Sequence, residues 1–308
     1  MEGTNAQGRA VNLAAAELTA VLVAVNDAGP RVLTIHGGVA LPSGPFESAH
    51  RSLQHGLRAW VERQTGHPLG YVEQLYTFAD RDRLGEGGQA VISISYLALT
   101  REERTDRHGG TEWRDWYEFF PWEDHRAGLP PVLTEIILPG LTAWAADPAR
   151  RQRVAVAFGI EGSGWNEELV LQRYELLYEA GLVGESLRRH SGRPQALPLG
   201  RMMEFDHRRI LATGLARLRA KIKYRPVVFE LLPPRFTLLQ LQRSVEALAG
   251  RLVHKQNFRR LVEQQELVEE TGAMTSETRG RPAKLFRFRE QVLAERAVAG
   301  TKLPLVRS

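Results

Sequence analysis

The sequence predicts an α+β chain in which a strand-rich front half is followed by a helical and strongly basic back half. Three observations carry this. Between Leu18 and Leu99 apolar runs of strand length recur around one helical stretch, an order that suits a layered α+β or α/β sandwich rather than a bundle. After Pro121 the periodicity changes to helical. The net charge of +5 is divided unevenly: residues 201–308 carry 22 Lys+Arg against 11 Asp+Glu, whereas residues 1–200 carry 19 against 25. An acidic front and a basic back fit a chain whose back half alone meets a polyanion.

Residues 1–10 read as a loose tail. Leu18 to Val25 is an apolar run, Asp27 to Pro30 a turn, and Arg31 to His36 a second strand, together a hairpin. Glu47 to Gln64 reads as one helix closed by Gly66. Tyr71 to Phe78 and Ala90 to Leu99 are the next strands, and Arg101 to Asp115 is a charged loop. Trp116 to Phe120 reads as a short aromatic strand. Helices are expected over Thr134 to Ala146, Pro148 to Phe158 and Glu167 to Glu179. Gly181 to Gly200 reads as a connector, and Asp206 to Tyr224 as a basic helix with Ile210, Leu211, Leu215, Leu218 and Ile222 on one side.

The stretch from Phe236 to Arg289 has the order of parts of a winged helix-turn-helix. Thr237 can cap a helix whose apolar stripe is Leu241, Val245, Leu248 and Leu252, and Gly250 is placed to end it. A second helix runs from about Lys255 to Gln264, with Phe258, Leu261 and Val262 on its packing face and Gln256, Arg259, Arg260 and Glu263 on the other. Leu267-Val268, a turn at Gly272, the run Thr278 to Pro282 and the alternating Leu285 to Phe288 then make a hairpin with a basic tip, the wing. A recognition helix needs long polar side chains for base edges, with basic groups around it for phosphates. The candidate DNA-binding residues are Thr237, Lys255, Gln256, Asn257, Arg259, Arg260, Arg279, Arg281 and Lys284. Gln256, Asn257 and Arg260 are placed for bases, and Arg279, Arg281 and Lys284 for phosphates.

The chain has no cysteine, so disulfides and thiolate metal sites are excluded and a reducing interior is its expected home. No segment reaches the roughly 18 apolar residues of a membrane span and no N-terminal run reads as a signal peptide. A soluble cytoplasmic protein is expected. His50, His55 and His67 lack the spacing of a zinc site. Asp206-His207 reads as helix capping, and Gly85 to Gly88 lacks the Lys-Ser/Thr of a phosphate loop. Ser43 and Ser163 lack a nucleophile elbow.

The strand order, the Leu41-Pro42-Ser43-Gly44 turn and a helix ending in Thr65-Gly66 resemble a Nudix fold. The Nudix signature reads Gly, five residues, Glu, seven residues, Arg-Glu-apolar-any-Glu-Glu, then Gly. Counted from Gly44, it places His50 at its first Glu, Arg58 at its Arg, Ala59 at the next Glu, and Glu62 and Arg63 at the final pair. Aligned backward from Gly66, the final pair is Arg63 and Gln64. Either way most of the carboxylates that would hold divalent metal are missing, so no catalytic residue and no metal ligand is assigned. Glu62 reads as a helical partner of Arg58.

A Nudix-like domain without its box, joined to a winged helix, resembles the Nudix-related transcriptional regulators of NAD metabolism, the NrtR type and its longer alphaproteobacterial NadQ-like branch. The matching pieces are Tyr76 to Arg83, Tyr96 to Leu99, Phe205-Asp206-His207, Leu231-Leu232-Pro233 with Phe236-Thr237-Leu238, Asn257 to Arg260 and Gly280-Arg281-Pro282, together touching about two thirds of the chain. The helical segment from about Leu129 to Ala196 departs from the short NrtR pattern and favours the longer branch. The expected organisation is a Nudix-like α/β/α sandwich over 11–128, a helical insertion over 129–197, a last Nudix-like helix over 198–225, the winged helix-turn-helix over 226–290 and a tail over 291–308.

The resemblance implies a repressor of NAD biosynthesis or salvage genes. It would bind a palindromic operator as a homodimer, with no cofactor and with ADP-ribose or another NAD-related adenine nucleotide as effector. Candidate effector-binding residues are Arg58, Glu62, Tyr76, Arg81 and Arg83: the arginines for a diphosphate, and Tyr76, or alternatively Trp60, for stacking on adenine. The alternative is an active Nudix pyrophosphohydrolase with an accessory nucleic-acid-binding domain.

Overall fold

The computed structural model describes residues 3–4, 10–11, 14–67, 69–79, 89–102, 110–187, 199–224, 227–275 and 282–290. At the start, β1 (Gly3–Thr4) pairs antiparallel with β2 (Ala10–Val11) where a loose tail was expected.

The front half is built around β3 (Ala15–Asn26), which forms the expected hairpin with β4 (Gly29–Thr34). Along one flank β3 runs parallel to β7 (Val91–Leu99) from Ala15 to Val23. Its other flank is shared: β5 (Ser43–Pro45) pairs with residues 17–19 and β4 with residues 23–26. β6 (Tyr71–Phe78) and β8 (Glu112–Asp115) complete the order β6-β7-β3-β4-β8. The side chains of β3 divide by the period of two. Leu18, Ala20 and Leu22 join Leu57 and Val61 of α1 (Leu53–Thr65) on one face, while Val21 and Val23 join the helices of the other.

The sequence expectation of a helix from Glu47 is corrected to α1 beginning at Leu53. Ser52 is extended and its hydroxyl accepts from the His55 N–H, capping the helix there. β8 lies inside the stretch expected to be a loop. The aromatic stretch after it is no strand: Trp116–Glu118 and Pro121–Glu123 are two 3-10 turns, the first capped by the Asp115 carboxylate. That geometry sends Trp116, Phe119, Phe120 and Trp122 into the core together, which a strand would divide between two faces.

The helical segment comprises a π turn (Leu133–Ile137) running into α2 (Leu138–Trp144), then α3 (Pro148–Phe158), α4 (Val170–Glu179) and α5 (Gly184–Leu187). α4 starts three residues later than expected. Asn166 accepts from Glu168 N–H in a turn, and Glu167 is buried elsewhere. The segment packs on α6 (His207–Tyr224), the long basic helix, which also covers the sheet face opposite α1. Then come a 3-10 turn (Val227–Glu230), α7 (Leu238–Ala249), α8 (Lys255–Gln264) and the hairpin β9 (Val268–Met274) with β10 (Lys284–Phe288). No helix among the described residues is long and apolar enough to cross a membrane.

One buried carboxylate joins these parts. Glu123 receives Arg173 of α4 at 2.5 and 2.9 Å and Arg219 of α6 at 2.5 Å, all three fully buried. Arg173 also donates to the carbonyls of Ala157 and Asn166. Arg219 donates to the Leu248 carbonyl near the end of α7 at 2.9 Å. Burial by itself would raise the Glu123 carboxyl, but the Arg173 and Arg219 charges outweigh it and hold it below the ordinary 4.5. Three carbonyls at the end of α7 thus meet donors from outside the winged helix: Ala247 takes the Tyr117 hydroxyl at 2.7 Å, Leu248 takes Arg219, and Gly250 takes the His125 N–H at 2.7 Å. Gly250 is left-handed at φ 74°, and a Cβ there would stand 2.3 Å from the Glu123 carbonyl oxygen.

We expect Glu123→Gln to destabilise the chain by about 3–5 kcal/mol, because two buried guanidinium groups lose their counter-charge. Urea denaturation at pH 7 measures it. The sign with pH follows from the depressed carboxyl: its stabilisation is complete above the unfolded glutamate value and is lost as pH falls below about 4.5. The wild-type acid-unfolding profile should therefore carry a pH-dependent increment in that range that Glu123→Gln lacks.

Candidate nucleic-acid interface

α7 begins with a capping box. Thr237 Oγ1 accepts from Gln240 N–H while the Gln240 side chain accepts from Thr237 N–H. Thr237 therefore starts the helix. Leu241 and Leu248 of the expected stripe are buried and Val245 is partly so. Leu252 is 65 % exposed, because Gly250 ends the helix before it.

α8 spans the expected residues and is the most open helix of the domain. Val262 is buried and Phe258 partly buried against the core, while Lys255, Gln256, Asn257, Arg259, Arg260, Glu263 and Gln264 are exposed. Leu261 does not belong to the packing face as expected; it is 51 % exposed. At 100° per residue Gln256, Asn257, Arg260 and Gln264 share one outward arc, with Arg259 nearer the inner side. These are long donors and acceptors of the kind that meets base edges.

Phe236 adds a bridge to the hairpin, exchanging backbone hydrogen bonds with Phe286 at 3.0 and 2.8 Å and stacking on Phe288 at 4.7 Å. Among the described residues of the hairpin and its ends each basic side chain has an acidic neighbour. Lys284 meets Glu270 at 2.8 Å, Arg287 meets Glu269 at 2.6 Å and Arg289 meets Glu266 at 3.4 Å. Lys284, expected at a phosphate, is thus exposed but partnered. Arg279 and Arg281, the other wing candidates, lie outside the described residues.

On the Nudix-like side, Glu62 is exposed on α1. Arg58 does not turn to it as expected; its guanidinium donates to the carbonyls of Leu69 and Gly70 and ties down the chain leaving the helix. Gln64 grips Ser43 through both backbone groups. Trp60 donates to Pro45 and lies over Gly44, where a Cβ would come within 2.2 Å of the indole. That packing, with Arg63 over the ring, gives Trp60 a structural role rather than a stacking one. Tyr76 is 60 % exposed on the edge strand β6, at a shift in register between Gln74 and Thr77, and meets Phe78 edge-on. Arg81 and Arg83 lie outside the described residues. Nudix chemistry implies divalent metal, and α1 offers a single carboxylate toward one, that of Glu62. Among the described residues no three His, Cys, Asp or Glu side chains are grouped to hold a metal ion.

Residues that the sequence reading missed lie at the junction with the winged helix. Beyond Glu123, Arg173 and Arg219, the Arg251 guanidinium meets the buried Glu167 at 3.1 Å, tying the turn after α7 to the helical segment. His125 stacks on Trp165 at 4.1 Å, and the Arg173 guanidinium lies 3.9 Å from that ring's centre. The available signal was a glutamate set among Trp116, Phe119, Phe120 and Trp122, since a charge inside an aromatic cluster needs buried partners.

Comparison with known proteins bears on both halves. Residues 228–288 match the family described as the NrtR DNA-binding winged helix domain. A curated relative, the ADPR responsive transcriptional repressor NtrR of Acinetobacter baylyi, is 41% identical over 95 residues, which is 30% of this chain and 36% of that protein. Shewanella oneidensis NrtR, solved in complex with a 27mer DNA, is similar in fold with a TM-score of 0.54 and 20% identity, covering 90% of this chain and 95% of that one. A MutT/nudix family protein from Enterococcus faecalis is similar at a TM-score of 0.54 and 18% identity over 91% and 88% of the two chains. Residues 228–288 therefore match the winged helix domain of NrtR, and the chain as a whole shares the fold of the solved NrtR and MutT/nudix chains.

Proposed function

We propose that the chain is a DNA-binding transcriptional repressor of NAD biosynthesis or salvage genes whose Nudix-like body senses ADP-ribose or a related adenine nucleotide without hydrolysing it. The observation that carries the reading is α8: an exposed arc of Gln256, Asn257 and Arg260 on a helix of an NrtR-type winged helix. The ADPR responsiveness in the relative's name supports the choice of effector. Arg58, Glu62, Tyr76, Arg81 and Arg83 are proposed to line its site. A homodimer on a palindromic operator follows from the short half-site that one winged helix can read, and the cytoplasm is the natural compartment. The proposed division into a Nudix-like body, a helical insertion over 129–197 and a DNA-binding domain over 226–290 serves this mechanism. To act as an inducer the nucleotide must bind the DNA-free arrangement more tightly, since equal affinity for two states shifts neither.

ADP-ribose at 100 times its dissociation constant should stabilise the chain by about 2.7 kcal/mol in a thermal-shift series and release it from its operator in an anisotropy titration. A flat series over NAD-pathway nucleotides would remove the sensing half of the proposal. Incubation with ADP-ribose and Mg2+ or Mn2+ should leave the nucleotide intact; turnover abolished by Glu62→Gln would establish the hydrolase instead. Arg260→Ala should narrow the gap between operator and random duplex by about 1–3 kcal/mol. Arg281→Ala should weaken both equally and flatten the log-log salt slope by about 0.9. The reverse pattern across a salt series would exchange the roles of helix and wing. Light scattering should give a dimer at micromolar concentration.

A further inference from the structure

α8 is polar along almost its whole length. Its inner face is complete with Val262 and Phe258, so Leu261 adds little to the core. Half of this leucine's surface is open to solvent, four residues after Asn257 and three before Gln264. It therefore lies in one strip with two exposed amides. An isolated leucine on a protein surface is ordinary, but this one borders the arc that the proposed function turns toward the major groove, next to Asn257.

The edges of the base pairs in that groove are donors and acceptors with one apolar exception, the C5-methyl group of thymine. Amides of Asn and Gln suit the N6 and N7 edge of adenine, the partner of thymine, so a strip of amide, leucine and amide matches successive A·T pairs. We propose that Leu261 is a specificity-determining residue of the winged helix that packs on a thymine methyl group, with Asn257 and Gln264 addressing the A·T pairs on either side. The proposal rests on the DNA-binding reading and extends it to the base class recognised. Leu261 lies outside the cores of both halves, so its replacement leaves the fold in place.

The test uses the full chain and the tightest duplex recovered from a random-sequence pool. Each thymine of that duplex is replaced in turn by deoxyuridine, which keeps the pairing and removes only the methyl group. Affinities are then measured for the wild type, Leu261→Ala and Leu261→Met. At one or two positions the wild type should lose about fourfold in affinity, the worth of one buried methyl. Leu261→Ala should bind the thymine and deoxyuridine duplexes alike at those positions, and Leu261→Met should keep the difference. A selected site lacking thymine, indifference of the wild type to every replacement, or an undiminished penalty in Leu261→Ala would each overturn the proposal while leaving DNA binding intact. So would a loss of affinity in Leu261→Ala with the methyl penalty unchanged, the mark of a contact with a second copy of the chain. If the pool yields no duplex preferred over random DNA, the DNA-binding reading and this proposal fall together.

Discussion

The carboxylate of Glu123, shared between two buried guanidinium groups, is the interaction on which the arrangement of this chain depends. Through Arg173 it reaches the helical segment, through Arg219 the long helix α6, and through the same arginine the carbonyl end of α7. A buried ion pair adds little net stability over an apolar core of the same volume, yet losing one member is expensive. Its effect here is on placement. A set of apolar side chains would tolerate sliding at this point, whereas two planar forks on one carboxylate admit one geometry.

That geometry has a consequence for how the two halves are joined. The last carbonyls of a helix carry the negative end of its dipole, and here a cation, a hydroxyl and a backbone N–H from the body cover those of Ala247, Leu248 and Gly250. α7 also lies against β3 and β4. The first helix of the winged helix is thus seated on the hairpin of the front sheet. A displacement of the sheet hairpin or of the arginine junction would carry α7 with it.

How much of this was legible in the sequence varied with the range of the interaction responsible. α7 was readable because local signals agree: the cap at Thr237, the spacing of Leu241 and Leu248, and the stop at Gly250. The alternation in β3 was readable for the same reason. The 3-10 turns after Asp115 were not, because a run of aromatic residues carries strand propensity and only the cap at Tyr117 N–H and the ring of Pro121 decide against it. Arg58 was misassigned because i,i+4 spacing offers Glu62 as a partner, while its actual acceptors are the carbonyls of Leu69 and Gly70, which no pattern displays. Leu252 continued the apolar period past Gly250, where α7 ends, and Leu261 lies at the edge of the packing side of α8. The junction was the least visible, since Glu123 and Arg219 are 96 residues apart.

The paired charges of the wing strands bear on how the molecule would meet a polyanion. Lys284, Arg287 and Arg289 each lie against a glutamate, so the described part of the hairpin is nearly neutral at a distance. α8, with Lys255, Arg259 and Arg260 against Glu263, keeps an uncompensated positive field. Attraction over a Debye length, roughly 8 Å in physiological salt, would act on the helix before it acts on those strands. α8 would thus be drawn toward a polyanion ahead of the described wing strands, which would settle by contact rather than by capture.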